Sequence, residues 1–461
     1  MSVKLDWDIE SEHGKRKQHK EDSKNRSRRY RRFFRLILTI LVFLAIVAGI
    51  AYVVLQRWNQ VTKRLESLLT ETVQAEVAAL RIGDYESYIN IQRSASDDWL
   101  VLQANTFNTY QQLKTSGDVT LSGNVVDVTI NGQRGRVQVE EIIGGVPYVQ
   151  TWFYWRYPEP DGWRHVPADK TFWGDSAMLE TSRFIIRYRT LDMAVATEIA
   201  AEVERWLDDV CSYLECANLL LLTFDIITDT LLEPQWASNE QDAWQMVIAS
   251  PYLGRARADR PFDTTLQIDT ATLLAERIVD HAMANRGAIY PNDAFFLRSA
   301  TVAWMVGRFV QLNPESYLIE SLSANYGTNA IGQLLARLQP NSAISLLSSI
   351  TGIPSLVDTN LDWRDFIEWR LNTEVNLIQI GDEANWQMLY DFSDLGVRDI
   401  AYGRYNANVA VQSLQILSMV QASTGDGIPQ LQVRVQINDT AGQREEIVLF
   451  NLVNNVWRRA S

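Results

Sequence analysis

The chain has 461 residues, 46% of them hydrophobic and 21% charged, which excludes an intrinsically disordered chain and one embedded in a membrane throughout. A formal charge of −13 excludes a general nucleic-acid binder, because neutralising phosphates takes clustered Lys and Arg. Two cysteines, Cys211 and Cys216, are too few for a disulfide-built scaffold or a four-thiolate zinc site, and four histidines (His13, His19, His165, His281) cap any metal chemistry.

From Leu36 to Leu55 the sequence LILTILVFLAIVAGIAYVVL carries no charge, matching the roughly 20 residues a helix needs to cross the hydrocarbon core of a bilayer. Gln56-Arg57-Trp58 follows with no small-residue cleavage site, so the segment reads as an uncleaved anchor. Twelve Lys/Arg and six Asp/Glu precede it, ending in Arg26, Arg28, Arg29, Arg31, Arg32 and Arg35, whereas only Arg57, Lys63 and Arg64 follow closely. The asymmetry predicts a basic cytoplasmic tail over 1–35, a membrane-spanning helix over 36–55 and an extracytoplasmic remainder. The tail serves as a topology signal, and its cations can also hold anionic lipid headgroups at about 1 kcal/mol each. Beyond residue 35 the balance is 31 Lys/Arg against 50 Asp/Glu, an acidic exterior. Outside the cytoplasm a Cys211–Cys216 disulfide is permitted, provided the helix carrying Cys211 ends between them; two unbridged thiols are the alternative.

The stem after the anchor places Val61, Leu65, Leu68 and Ala75 at near-heptad spacing. That stripe reads either as a dimer seam or as the core face of a first domain helix, and the second reading is preferred for so short a run. Ala79 to Tyr88 (ALRIGDYESY) then recurs in outline as Asn376 to Trp386 (NLIQIGDEANW). In each copy Gly ends one helix in the left-handed region, Asp84 or Asp382 caps the next, and an aromatic, Tyr88 or Trp386, closes its first turn. Alternating strands follow at Val119–Val128, Arg136–Ile142 and Val149–Tyr157 in one copy, and at Ile428–Ile437 and Glu446–Leu452 in the other. Asp161-Gly162-Trp163-Arg164 and Asn455-Val456-Trp457-Arg458 close the two copies.

This layout resembles the nuclear-transport-factor-two-like (cystatin-like) cone, in which helices close over a bent sheet. The resemblance implies one α+β cone domain over 57–175 and a second over 373–461. Cones host hydrolases, isomerases and interaction modules, so the fold leaves the chemistry open. Catalytic members place an Asp/His pair inside the cone. The C-terminal copy contains no histidine and reads as non-catalytic, and His165, beside Arg164, reads as a surface residue. The run Trp152-Phe-Tyr-Trp155-Arg-Tyr157 alternates between strand faces, so about half should fill a core and the rest cover a neighbouring domain.

Between the copies, residues 178–372 read as a strand (Arg183–Tyr188), an amphipathic helix (Met193–Leu214), a buried strand (Leu219–Ile227), a helix (Thr270–Asn285) started by Asp269 or Thr270 and followed by Gly287, and further helices up to Leu371. The order, with Ser316–Tyr326, Ser342–Thr351, Gly352-Ile353-Pro354 and Trp363–Trp369, resembles the peptidase MA-like (gluzincin) domain of bacterial extracytoplasmic metallopeptidases. That family's chemistry needs His-Glu-x-x-His on a helix, two imidazoles on one side of Zn²⁺ with a Glu to activate the metal-bound water. No such motif occurs. The best alignment ends in His281, with Arg277 in place of the first His and Ile278 in place of the catalytic Glu, and the later Glu falls near Ser299-Ala300-Thr301. Helical phase puts His281 in the stripe of Leu274 and Ile278, away from Glu276 and Asp280. No Gly-x-Ser-x-Gly elbow, phosphate loop or dinucleotide fingerprint is present.

The expectation is therefore an α+β chain: one N-terminal transmembrane helix and two cone domains flanking a mostly helical gluzincin-like domain with a small sheet. Its expected function is that of a membrane-anchored pseudoenzyme, non-catalytic and without a cofactor, binding membrane lipid through its anchor and an extracytoplasmic protein or peptide, and no nucleic acid. An active zinc peptidase with a divergent site around His281 and a single-pass transmembrane sensor are the alternatives.

Overall fold

A computed structural model describes residues 23–214, 219–229, 232–238, 240, 244–283, 289–313, 316–440 and 442–461. The chain is mixed α+β. Helix α1 (Ser23–Ile82) runs for 60 residues without a break. Its Leu36–Leu55 stretch is exposed throughout and makes α1 the one described helix long and apolar enough to cross a membrane. Residues 1–22 of the basic segment and Cys216 lie outside the described residues.

The N-terminal unit folds the last third of α1, α2 (Tyr85–Ile91) and α3 (Asp97–Ser116) over the antiparallel meander β1 (Val119–Asn131), β2 (Arg134–Ile143), β3 (Val146–Arg156) and β4 (Trp163–Val166). Gly83, at φ +80°, ends α1 in the left-handed region, and the Asp84 carboxylate accepts from the Ser87 N–H at 3.0 Å to start α2. The α1 core stripe is Leu69, Val73, Val77 and Leu80, at helical spacing. Val61, Leu68 and Ala75 are exposed, so the stripe assigned from sequence to the core face is not that face.

The central segment comprises β5 (Ser176–Glu180), β6 (Phe184–Arg189), α4 (Met193–Cys211), β7 (Leu222–Ile227), β8 (Gln235–Trp236), β9 (Gln245–Ala249), β10 (Arg255–Arg257), α5 (Thr264–Ala282), α6 (Asp293–Val310), α7 (Tyr317–Tyr326), α8 (Asn329–Arg337) and α9 (Leu346–Thr351). Its sheet runs β5-β6-β7-β9-β8, parallel in the middle and antiparallel at both edges. α4 buries Val195, Ile199, Val203, Trp206 and Val210 against it. α4 ends at Cys211, which is disulfide-bonded. α5 begins six residues before the expected Thr270, because Asp263 caps it by accepting from the Leu266 N–H at 3.0 Å. β10 leaves this segment and pairs with β3, so a strand from the middle of the chain extends the N-terminal sheet.

α10 (Arg364–Ile380) passes residue 372 uninterrupted and leads through α11 (Glu383–Gln387) and α12 (Leu395–Ala407) to a second meander, β11 (Val411–Ser423), β12 (Pro429–Asp439), β13 (Gly442–Val453) and β14 (Val456–Arg459). Gly381, at φ +74°, and Asp382 repeat the stop and restart of Gly83 and Asp84. The second sheet shares one core with the central helices, joined where Trp363 and Trp457 meet at 5.9 Å between ring centroids.

Candidate functional site

The central helix of the peptidase-like reading carries no assembled site. Arg277 is buried, donates from Nη1 to the Glu240 carbonyl at 2.7 Å, and sets its guanidinium 4.3 Å from the Trp236 ring. Ile278 is wholly buried core, and His281 is half-buried with its ring edge-on to Trp244 at 5.5 Å. Asp280 is held by Arg298 in a two-point ion pair at 2.6 and 2.8 Å. On α6, Thr301 donates to the Leu297 carbonyl at 2.7 Å, and Ala300 is buried. Among the described residues no group of three His, Cys, Asp or Glu side chains is placed to hold a metal ion.

The N-terminal unit does assemble one. Between its helices and sheet lies a cavity of about 360 Å³, lined by aromatic rings and by Glu76, Gln103, Gln150, His165 and Arg255. Glu76 comes from α1, on the buried side of the helix among Val73, Val77 and Leu80, and is itself fully buried. Three donors satisfy its carboxylate: His165 Nδ1 and Gln92 Nε2 at Oε1, and the Tyr154 hydroxyl at Oε2, each at 2.7 Å. His165 corrects the surface assignment made from sequence. It is 6% exposed, because its place on β4, directly opposite Tyr154 on β3, turns the ring inward. The imidazole lies between stacked Trp152 and Tyr154 rings and the edge of Trp99, and its Nε2 makes no hydrogen bond to a described residue.

A second carboxylate, Glu141 on β2, accepts from the Tyr110 hydroxyl, from Gln150 Nε2 at 2.9 Å and from Arg255 Nε. Burial holds the phenols of Tyr88, Tyr110 and Tyr154 well above their ordinary pKa, reinforced by Glu76 for Tyr88 and Tyr154 and by Glu141 for Tyr110, so each remains a proton donor. Arg255 arrives on β10, so the central segment supplies part of the cavity wall, with Leu253 and Gly254. β3 pairs with β10 over Tyr148–Gln150 and with β4 over Phe153–Arg156, leaving Thr151 and Trp152 without a strand partner on that edge. The aromatic run divides by strand face: Trp152 and Tyr154 join the core of the N-terminal unit, while Phe153 packs on Phe172 and Trp173.

The C-terminal unit offers an internal comparison. Glu76 and Glu374 each stand eight residues before the capping Asp, and His165 and Arg459 each stand two residues after the closing Trp. An isolated bridge joins Gln92 to His165 in one unit and Tyr390 to Arg459 in the other. Position for position, His165 becomes Arg459, Gln92 becomes Tyr390, and Tyr154, opposite His165, becomes Phe450. Arg459 pairs with Glu374, the Tyr390 hydroxyl donates to the same carboxylate at 2.5 Å, and the associated cavity shrinks to about 180 Å³. No protein-family model, characterised protein or solved structure matches the chain. The signal for Glu76 lay in its equal spacing with Glu374, and the signal for His165 lay in the shared offset from Trp163 and Trp457.

Proposed function

We propose that this chain is a membrane-anchored, extracytoplasmic binding protein whose ligand, a small molecule with polar groups, sits in the N-terminal cavity. The central segment and the C-terminal unit act as scaffold. The long apolar stretch of α1 and the charge asymmetry around it support the anchoring and its direction. A cone-like arrangement of helices over sheet and a peptidase-like middle that has lost its metal ligands fit the same reading. Arg277 at the first-ligand place offers a cation, without a lone pair for zinc.

The observation that carries the proposal is the contrast between the two units. In one, a buried carboxylate is closed by an arginine that cannot change its charge; in the other it orients an imidazole whose second nitrogen is unspent in a larger cavity. That free Nε2 also favours a second reading, an acid–base catalyst in which Glu76 orients His165 and Nε2 takes or gives the proton.

The test is thermal unfolding of the full chain in lipid nanodiscs against a panel of neutral, anionic and cationic small molecules. A ligand at 100 times its Kd stabilises by about 2.7 kcal/mol. Compounds that raise the transition in the wild type and not in His165→Ala support the proposal. Compounds that act equally on both, or lose their effect only in His281→Ala, contradict it.

A further inference from the structure

The donors and acceptors around the N-terminal cavity do not balance, and the imbalance describes the ligand. The carboxylate and amide oxygens are engaged: Glu76 by three donors, Glu141 by three, the Gln150 carbonyl by Trp152 Nε1 at 2.9 Å and the Gln103 carbonyl by the Tyr88 hydroxyl. The donors are not. Trp99 Nε1 and the Thr151 hydroxyl are buried without a partner, Gln103 Nε2 makes no hydrogen bond to a described residue, and among the described residues the Arg255 guanidinium has only Glu141 and the Tyr110 hydroxyl as partners. All four side chains line the one cavity, among the rings of Tyr88, Trp99 and Trp152. A buried donor left without a partner costs about 1–3 kcal/mol, so such a lining selects a ligand rich in acceptors. A cationic ligand would find no carboxylate oxygen without a partner there and would meet Arg255.

Resting on the reading of this cavity as a ligand site, we propose that it takes a planar carboxylate on a flat, largely apolar body, with the carboxylate on the fork of Arg255 and the body along Trp99 and Trp152. With Nε committed to Glu141, the two terminal nitrogens present the parallel pair of N–H groups that matches a carboxylate. The side chain is 40% exposed, which sets it at the mouth, where an anion keeps part of its hydration.

Titration calorimetry on the full chain in nanodiscs tests this with benzoate, 4-hydroxybenzoate and indole-3-carboxylate, each against its primary amide. At least one acid should bind about tenfold more tightly than its amide, the gap between charge-assisted and neutral hydrogen bonds. That preference should vanish in the charge-neutral pair Glu141→Gln/Arg255→Gln, shrink in Arg255→Lys, which keeps the charge without the fork, and survive in Arg257→Gln nearby. N-acetylphenylalanine and its amide form a separate arm: preference there, and not among the free acids, assigns the carboxylate to a peptide end. Acids that bind no better than their amides, or a preference untouched by the paired variant, overturn the carboxylate assignment while His165-dependent binding of neutral compounds leaves the cavity reading standing. Loss of all His165-dependent binding overturns both.

An independent observation concerns the stem of α1. Between Leu55 and Leu69 the helix stands apart from the sheet core, yet Trp58, Val61, Leu65, Leu68, Thr72 and Ala75 continue a strict alternation of three and four residues along it. Trp58, Val61 and Leu68 are exposed, and the stripe runs into an open groove of about 950 Å³ beside Tyr157, Pro158 and Trp163. An apolar stripe at this spacing on an otherwise polar helix suits a second helix of the same kind. Two copies inserted in one membrane by the same α1 would present it parallel and in register. We infer that the chain forms a parallel homodimer through this stem. Single cysteines placed in turn from Arg57 to Thr70 and oxidised in membranes should crosslink most at Trp58, Val61, Leu65 and Leu68 and least at Gln60, Lys63 and Ser67. A flat profile, a maximum on the Lys63 side, or no crosslinking overturns the dimer.

Discussion

His165 Nδ1 lies 2.7 Å from Oε1 of Glu76, at the position where the C-terminal unit sets Arg459 against Glu374. The two pairs start from the same frame, a carboxylate on the helix before the Gly-Asp turn and a base-bearing side chain on the last strand, and they end in different physical states. An arginine–carboxylate pair neutralises itself and fills its surroundings. An imidazole needs only one nitrogen for the carboxylate and keeps the other for something else.

Glu76 is the acceptor for three buried donors, so its removal orphans all three. Glu76→Ala should destabilise the N-terminal unit by about 3–5 kcal/mol, and Glu76→Gln, which keeps one acceptor, by less. Urea unfolding followed through the tryptophans of that unit measures both, and equal, small effects would contradict the network.

In the second unit Arg459→Met leaves Glu374 buried beside an apolar side chain, and should cost about 3–5 kcal/mol. Adding Glu374→Met should recover most of that loss, because two apolar side chains remove the orphaned charge. A double variant no more stable than the single one would show that the pair holds more than itself.

The repeat at Gly83-Asp84 and Gly381-Asp382 was legible because cap chemistry is local: a left-handed glycine and a carboxylate three residues before an N–H declare themselves in sequence. The cavity was not. Glu76 belongs to a helical stripe whose phase had been set on Val61 and Leu68, and His165 acquires its environment from Tyr154 and Glu76, residues brought together only by folding. β11 escaped notice for a different reason: register shifts at Val411/Ser413 and Ile416/Ser418 break the two-residue period by which a strand is read. The absence of a His-Glu-x-x-His motif, by contrast, needs no tertiary context to read.

Asp192, at the start of α4, accepts from Trp173 Nε1 at 3.0 Å and from the Ser250 hydroxyl, joining the linker behind the N-terminal sheet to the loop that leads into β10. Burial pushes its pKa up to about 6, and the two hydrogen bonds only partly offset this. A carboxyl that is easier to protonate in the folded state than in the unfolded one, where it titrates near 3.8, favours folding when protonated. Its contribution to stability should therefore grow as pH falls from above 6 towards 4 and be lost as pH rises through 6. The full difference is on the order of 3 kcal/mol. Asp192→Asn should remove that component, so the gap between variant and wild-type unfolding midpoints should change between pH 4.5 and 7.5; a constant gap would contradict it.

The central claim is that ligand chemistry resides at His165 and not at His281. Labelling the full chain in nanodiscs with ¹⁵N-histidine and recording its ring-nitrogen spectrum during titration with a stabilising compound tests that claim most directly. The account predicts that the His165 Nε2 signal moves with ligand while His281 stays in place. Movement of His281 with His165 unchanged would contradict it.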